Sequence, residues 1–310
     1  MNNLSEFQVA LLKVFKQFAN YCEENGLTYY AAYGTLLGAV RHQGFIPWDD
    51  DIDVYMRRED YDKLLANRDT LKGSPCRITC ILDGDSPYPF AKFYTTEGTI
   101  WEYKHFPFII GPWIDIYPID EGDLENEHSN ASYNMLHYLM WKYRKSIADT
   151  KWSDIYHDFI HLNGYNGPIN LVKKIRYAPF KKKYIREIKK CIDEIREIKS
   201  SKLRVYPSGL IKEVYPKDYF EKTLSVPFED SYISIPNGYN EILTSYYGDY
   251  MQLPPEEKRM SNHDSFYINI KENVPKETIL KEMAGKINKK AQPLSLKVII
   301  DEIKHRNKGF

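Results

Sequence analysis

The chain is poor in the features that mark secreted, membrane-spanning or polyelectrolyte-binding proteins. It has four cysteines in 310 residues, Cys22, Cys76, Cys80 and Cys191. Cys76 and Cys80 stand close together, but no second close pair and no histidine pair follows them. That argues against both a disulfide framework and a Cys/His zinc site, and leaves buried or free thiols in a reducing compartment. No window approaches the ~18 apolar residues that a membrane span needs. The longest apolar run, 106–114, is broken by Pro107, Gly111 and Pro112. The opening stretch carries Glu6, Lys13 and Lys16 and lacks a small-residue cleavage pattern, so no secretory signal is expected and the location expected is cytoplasmic. An excess of one charge is missing too, with 43 Lys and Arg against 43 Asp and Glu. A nucleic-acid binder carries a basic excess, so nucleic acid is not an expected partner.

What is present is a soluble globular composition, 43% hydrophobic and 28% charged with a mean hydropathy of −0.55. Tyrosine is abundant at 26, and its mixed apolar and polar character suits sites for polar, ring-bearing ligands. Apolar residues from Leu4 through Phe7, Leu11, Phe15, Phe18 and Cys22 recur at helical spacing, with Ser5 as a cap and Asn25-Gly26 as the stop. Strands are expected over 28–33, 51–56, 76–82, 90–95 and 114–117, with helices over 36–41 and 58–71. A helix follows over 126–148. Residues 173–204 hold 13 Lys or Arg against 4 acids. There Ile185, Ile188, Ile192, Ile195 and Ile198 predict an amphipathic basic helix after Pro179. Its plain reading is a solvated helix face, and its sharper one an anionic partner such as a membrane surface or a polyanionic acceptor. Residues 206–255 read as loop with short strands near Val226 and Tyr232, and 275–310 as one or two Lys-rich helices.

The chemistry concentrates in 34–54. Asp49, Asp51 and Asp53 alternate, and in a strand alternate residues share a face. Carboxylates so placed repel unless a cation neutralises them, and a hard divalent ion, Mg²⁺ or Mn²⁺, is the natural partner. A calcium loop would need glycine where Val54 stands and a closing Glu where Asp60 stands. A solvated acidic turn is the other plain reading, but Ile52 and Val54 interleave with the acids. Ahead of them, Gly34 lets backbone N–H groups approach a phosphate closely, and the Thr35 hydroxyl adds a hydrogen bond. A phosphate cradle opposite a metal-binding strand serves phosphoryl-type transfer. Asp115, a lone acid among apolar residues, is the expected third acid, as a metal ligand or as the base for an acceptor hydroxyl. Asp120 is the weaker choice, and a capped structural role is the alternative for Asp115.

The blocks Gly34-Thr35-Leu36-Leu37-Gly38 through Trp48-Asp49-Asp50-Asp51-Ile52-Asp53, then Asp115-Ile116-Tyr117-Pro118, then Tyr246-Tyr247-Gly248-Asp249-Tyr250 with Leu253-Pro254-Pro255 and Arg259, resemble the LicD family, phosphotransferases related to fukutin and fukutin-related protein. The resemblance implies an α/β (α+β) nucleotidyltransferase-like fold, a mixed sheet flanked by helices. It implies transfer of a phospho-alcohol, phosphocholine foremost, from a CDP-linked donor to a sugar hydroxyl of a surface glycan or its lipid-linked precursor. Asp51 and Asp53 match the family's metal-binding pair, with Asp49 adjoining, and Gly34 and Thr35 match its strand-turn-helix motif.

Arg41 also falls in the first block and is a candidate phosphate contact, with a salt bridge to a nearby acid as the plain reading. Lys92, a lone cation in an apolar strand, either snorkels or meets an anion, and the donor diphosphate is the favoured anion. Arg259 and His263 are second-tier donor or acceptor contacts. Trp48, Trp101 and Trp113 could stack on a base or cage an ammonium, or else pack in the core. The expected organisation is a catalytic core over 1–120, a helical basic segment over 121–215 that meets the acceptor or the inner face of a membrane, a loop-rich segment over 216–270 completing the site, and Lys-rich helices over 271–310. Alternatives are a nucleotidyltransferase releasing pyrophosphate, a sugar-nucleotide glycosyltransferase and a non-catalytic polyanion-binding module.

Overall fold

A computed structural model describes residues 4–148, 175–205, 213–260 and 265–287. Helix α1 (Glu6–Glu24) starts on a capping box in which the Ser5 hydroxyl accepts from Gln8 N and the Gln8 side chain accepts from Ser5 N. It buries Leu11, Val14, Phe15, Phe18 and Cys22, the stripe the sequence predicts. Strand β1 (Tyr30–Ala31), helix α2 (Tyr33–His42), strand β2 (Asp53–Arg57) and helix α3 (Arg58–Asn67) follow. Then come β3 (Cys76–Thr79), β4 (Ala91–Thr95), β5 (Thr99–Trp101), β6 (Trp113–Glu121), α4 (Glu127–Ile147) and α5 (Lys181–Arg196). The remaining elements are β7 (Lys202–Val205), β8 (Val214–Pro216), β9 (Thr223–Phe228), β10 (Ser231–Pro236), α6 (Tyr239–Tyr247), β11 (Tyr267–Asn269) and α7 (Lys276–Ile287).

The central sheet runs β1-β2-β6-β4-β3, and β7 joins the far end of β6 and carries β8. Among the described residues only β2 and β6 pair in parallel, Asp53 opposite Asp115 and Tyr55 opposite Tyr117; the other described pairings of this sheet are antiparallel. The fold is the mixed α+β architecture expected. Phe93 of β4 meets Phe18 and Tyr21 of α1, so α1 covers that face. Lys92, one residue earlier, points to the opposite face with Asp115. Helices α4 and α5 form a second core from Tyr133, Leu136, Met140 and Tyr143 against Tyr184, Ile188, Ile192 and Ile195, so the isoleucine period of the sequence is a packing stripe. No helix among the described residues is long and apolar enough to cross a membrane.

Several local expectations are corrected. The strand expected over 28–33 is Tyr30–Ala31 alone, and Gly34 and Thr35 do not separate strand from helix. They lie in the first turn of α2, after an Ala32 cap and a Tyr33 at φ +45°. The strand expected over 51–56 begins at Asp53, so Asp51 and Asp49 belong to the loop before it. Asp120 is taken by a two-pronged contact from Arg58 at 2.6 and 2.7 Å. Trp101 is fully buried and its indole N–H donates to the Phe106 carbonyl at 2.7 Å, a core residue. The stretch 206–255, expected as loop, carries β8 and α6 besides the β9–β10 hairpin. The sheet reaches past residue 120 because β7 and β8 extend it. Residues 149–174, 206–212 and 288–310 and His263 lie outside the described residues.

Candidate active site

One row of side chains crosses the sheet. Asp53 of β2 stands opposite Asp115 of β6, and Asp115 opposite Lys92 of β4. Directly opposed residues share a face, so two carboxylates and an ammonium line up on three neighbouring strands. All three are buried, Lys92 to 1% exposure. The Lys92 ammonium donates to Asp115 at 2.7 Å and lies 3.5 Å from Glu102. It also sits 4.1 Å from the ring centroids of Tyr88 and Trp113, so its desolvation is offset by two carboxylates and two ring faces. Glu102 in turn accepts from the Tyr88 hydroxyl.

The start of β2 is clamped to α2. The Asp53 amide donates to the Thr35 hydroxyl oxygen at 2.9 Å, and the Ala32 amide donates to the Asp53 carbonyl at 2.9 Å. These bonds hold the first turn of α2 against the strand that carries Asp53. The amides of the first turn of α2 have no intrahelical partner, and this end of the helix lies against the acid loop. A Cβ built on Gly34 would stand 2.6 Å from Asp49 Oδ2, which puts the Asp49 carboxylate directly on that turn. Gln8 holds the same loop from α1, donating to the Asp49 carbonyl at 2.9 Å and the Ile46 carbonyl at 3.3 Å.

The electrostatics are strained in one sense. Burial, then the charges of Asp51, Asp115 and Asp49, push the Asp53 carboxyl well above its ordinary value, with Lys92 pulling the other way. Asp53 Oδ1 is buried with no hydrogen-bond partner among the described residues. Burial pushes Asp115 up to about 6, Glu102 and Asp51 add to the rise, and Lys92 opposes it. The Tyr117 and Tyr247 phenols are raised by burial and then by these same acids, so both line the site. Among the described residues no three His, Cys, Asp or Glu side chains close into a metal cage.

The other expected contacts are placed differently. Arg41 donates to the Tyr250 carbonyl at 2.8 Å and the Gln252 carbonyl at 3.2 Å, fastening the Tyr246–Tyr250 block to α2. Arg259 donates to the Pro254 carbonyl at 2.8 Å and lies 5.8 Å from the Trp48 ring. Lys92 is enclosed with Asp115.

Sequence reading missed Glu213. Its buried carboxylate accepts from Tyr33 at 2.9 Å, Tyr55 at 3.2 Å and Tyr246 at 2.9 Å. It thereby ties the first residue of α2, the middle of β2 and α6 together. Tyr33 needs the tie because a non-glycine residue at positive φ is strained. Nothing at Glu213 itself signals this, but the Tyr-rich pattern around Gly34 and the Tyr246-Tyr247 pair does. Gln8 and Glu102 had no recognisable signal.

Two expectations follow. Gly34→Ala forces the Asp49 carboxylate away, so turnover is expected to fall on the order of tenfold or more with a melting temperature near wild type. Wild-type turnover in that variant would detach Gly34 and Asp49 from the site. Burial raises the Glu213 carboxyl above its ordinary 4.5, against the pull of its three phenol donors. An acid raised in the folded state stabilises it while protonated, and that stability is lost as pH rises through the raised value. Glu213→Gln cannot ionise, so its melting temperature should fall less than that of wild type as pH rises above 4.5. Parallel curves would refute the assignment.

The family model described as LicD/FKTN/FKRP, nucleotidyltransferase domain, matches residues 26–191. The chain is 32% identical over 273 residues to the lipopolysaccharide cholinephosphotransferase LicD of Haemophilus influenzae, over 84% of this chain and 96% of that one. It is also 44% identical over 52 residues to uncharacterized proteins of Rickettsia prowazekii and Rickettsia typhi, 17% of this chain and 20% and 17% of theirs.

Proposed function

The chain belongs to the LicD family, and from that premise we propose that it transfers phosphocholine from CDP-choline to a sugar hydroxyl of lipopolysaccharide or a related lipid-linked glycan. The observation that carries the reading is the buried Asp53 Oδ1, without a hydrogen-bond partner among the described residues, set among Asp51, Asp115 and Asp49 beside the first turn of α2. A cluster of acids that raises its own member is built to receive positive charge. Mg²⁺ takes one or two carboxylates and draws its other oxygens from water and phosphate. Asp51 and Asp53 fit that donor set, with Asp49 at its edge. When bound, such an ion neutralises the charge of a diphosphate and of the leaving nucleotide.

The remaining chemistry belongs to the chain. The first-turn amides of α2 steady phosphate oxygens. Asp115, pushed up to about 6, is matched to accept a proton near neutral pH. The acceptor oxygen attacks the phosphorus nearer the alcohol, its proton passes to the Asp115 carboxylate, the P–O bond to the nucleotide breaks and CMP leaves. Lys92 holds Asp115 in place and keeps it ionisable. We further propose that the reaction takes place in the cytoplasm, a reading consistent with four buried free thiols.

The test is a melting-temperature screen of CDP-choline, CDP-ribitol, CDP-glycerol, CTP and UDP-glucose, each with Mg²⁺ and with chelator. A ligand that binds the native state alone raises its stability. A Mg²⁺-dependent rise with CDP-choline is expected. A rise with CTP alone would favour nucleotidyl transfer, one with UDP-glucose alone glycosyl transfer, and one with another CDP-alcohol would replace choline.

A further inference from the structure

Helix α4 is apolar on two sides. One side packs Tyr133, Leu136, Met140 and Tyr143 against α5. The other carries Met135, Tyr138 and Trp141, exposed by 51, 49 and 40%. They follow one another at three-residue spacing, so they form a stripe along the helix rather than scattered contacts. The stripe runs on into the chain that enters α5. Trp141 meets Tyr177 edge-on at 5.8 Å, and Ile175 and Phe180 are exposed there as well. Isolated exposed apolar residues need no explanation, but a contiguous aromatic patch on a soluble chain marks an interaction surface.

The charges set into this patch identify its partner. The Lys142 ammonium lies 4.1 Å over the Tyr138 ring, and the Arg176 guanidinium lies 5.8 Å from that of Tyr177. Lys182 and Lys183 are exposed at the start of α5, whose first turn contains no acid. Between α4 and α5 a groove of about 440 Å³ is lined by Leu139, Lys142, Phe180, Lys183, Tyr184 and Glu187, one acid among two lysines. The whole chain has no net charge, so this positive charge is gathered here and balanced elsewhere. Tyrosine and tryptophan with polar tips, beside lysines whose stems cover apolar surface, suit the boundary between water and lipid. A dry protein contact would exclude lysine from its centre.

We propose that the α4–α5 face rests on an anionic lipid bilayer, Tyr138 and Trp141 entering the headgroup layer and Lys142, Lys182 and Lys183 pairing with lipid phosphates. Vesicle binding needs neither donor nor sugar acceptor, so the proposal stands or falls apart from the function above. The test is flotation of the full chain with phosphatidylcholine vesicles with and without phosphatidylglycerol. Wild type should float with the anionic vesicles alone. Each lysine near an anionic surface contributes about 1 kcal/mol, so Lys182→Gln with Lys183→Gln should weaken partitioning on the order of thirtyfold. Tyr138→Ser with Trp141→Ser should weaken it also, with the helical circular-dichroism spectrum and cooperative melt of the wild type retained, because neither side chain belongs to the α4–α5 core. No flotation of wild type, or flotation unchanged by both pairs, overturns the proposal. So does a wild-type dimer that the Tyr138 and Trp141 substitutions dissociate, which would assign the face to a second copy.

Discussion

Asp53→Asn is expected to abolish turnover and, in the presence of chelator, to raise the melting temperature. The two effects have one cause. Asp53 is buried, its Oδ1 without a hydrogen-bond partner among the described residues, under the repulsion of Asp51, Asp115 and Asp49. Such a charge is a cost to the fold, tolerated where it serves function. The amide keeps the shape and removes the repulsion. It also removes half of the carboxylate pair proposed to hold the ion, and loss of several kcal/mol of charge stabilisation in the transition state slows turnover by about a thousandfold or more. Asp51→Asn should lose activity equally, with a smaller rise in stability because Asp51 lies in the loop before β2. The check is CMP release from CDP-choline together with thermal melts. Substantial turnover in either variant would remove the pair from the reaction, and a clear fall in melting temperature would contradict the repulsion inferred at Asp53.

Lys92→Met has the opposite signature. Lys92 is the buried cation between Asp115 at 2.7 Å and Glu102 at 3.5 Å. Its removal leaves two carboxylates in a dry site, and breaking a buried pair from one side costs about 3–5 kcal/mol. The variant should therefore unfold at markedly lower urea and be inactive where it still folds, because Asp115 loses the charge that keeps it ionisable. Adding Asp115→Asn to Lys92→Met removes one stranded charge and should recover part of the stability but none of the activity. A Lys92→Met variant within about 1 kcal/mol of wild type, the range of an exposed pair, would show that the ammonium is not the partner these distances describe.

Lys92 also shows how far the residues could be read without the fold. Its oddity, a cation in an apolar strand, was legible, and so was its need for an anion. Which anion was not: the parallel pairing of β2 with β6 and the antiparallel pairing of β4 with β6 put Asp115 beside it, and register is a property of distant segments. Asp49 and Asp51 lie near enough to Asp53 to raise it, but the strand expected from Asp51 begins at Asp53, because an alternating pattern looks the same in a strand and in the turn that leads into it. Arg41 looked like a phosphate contact because its class of side chain binds phosphate. The structure shows the backbone carbonyls of Tyr250 and Gln252 as its partners, contacts that leave no trace in spacing. Periodic features fared best. The stripes of α1 and α5 are set by neighbours three and four residues apart, and so are visible locally. Glu213 gave no such signal, since its three phenols come from three separate elements.

The Glu213 tie has a consequence for the order in which the protein becomes competent. Chains fold as they are synthesised, N-terminal parts first, at ~5–20 residues per second. A nascent chain that has emerged as far as β7 holds Asp53, Asp115 and Lys92, but it lacks the carboxylate that fastens the strained Tyr33 and the Tyr246–Tyr250 block that Arg41 fastens. Both arrive with the last third of the chain. The acids are thus made early and set late, so an interrupted translation product carries the reactive residues without the frame that orients them.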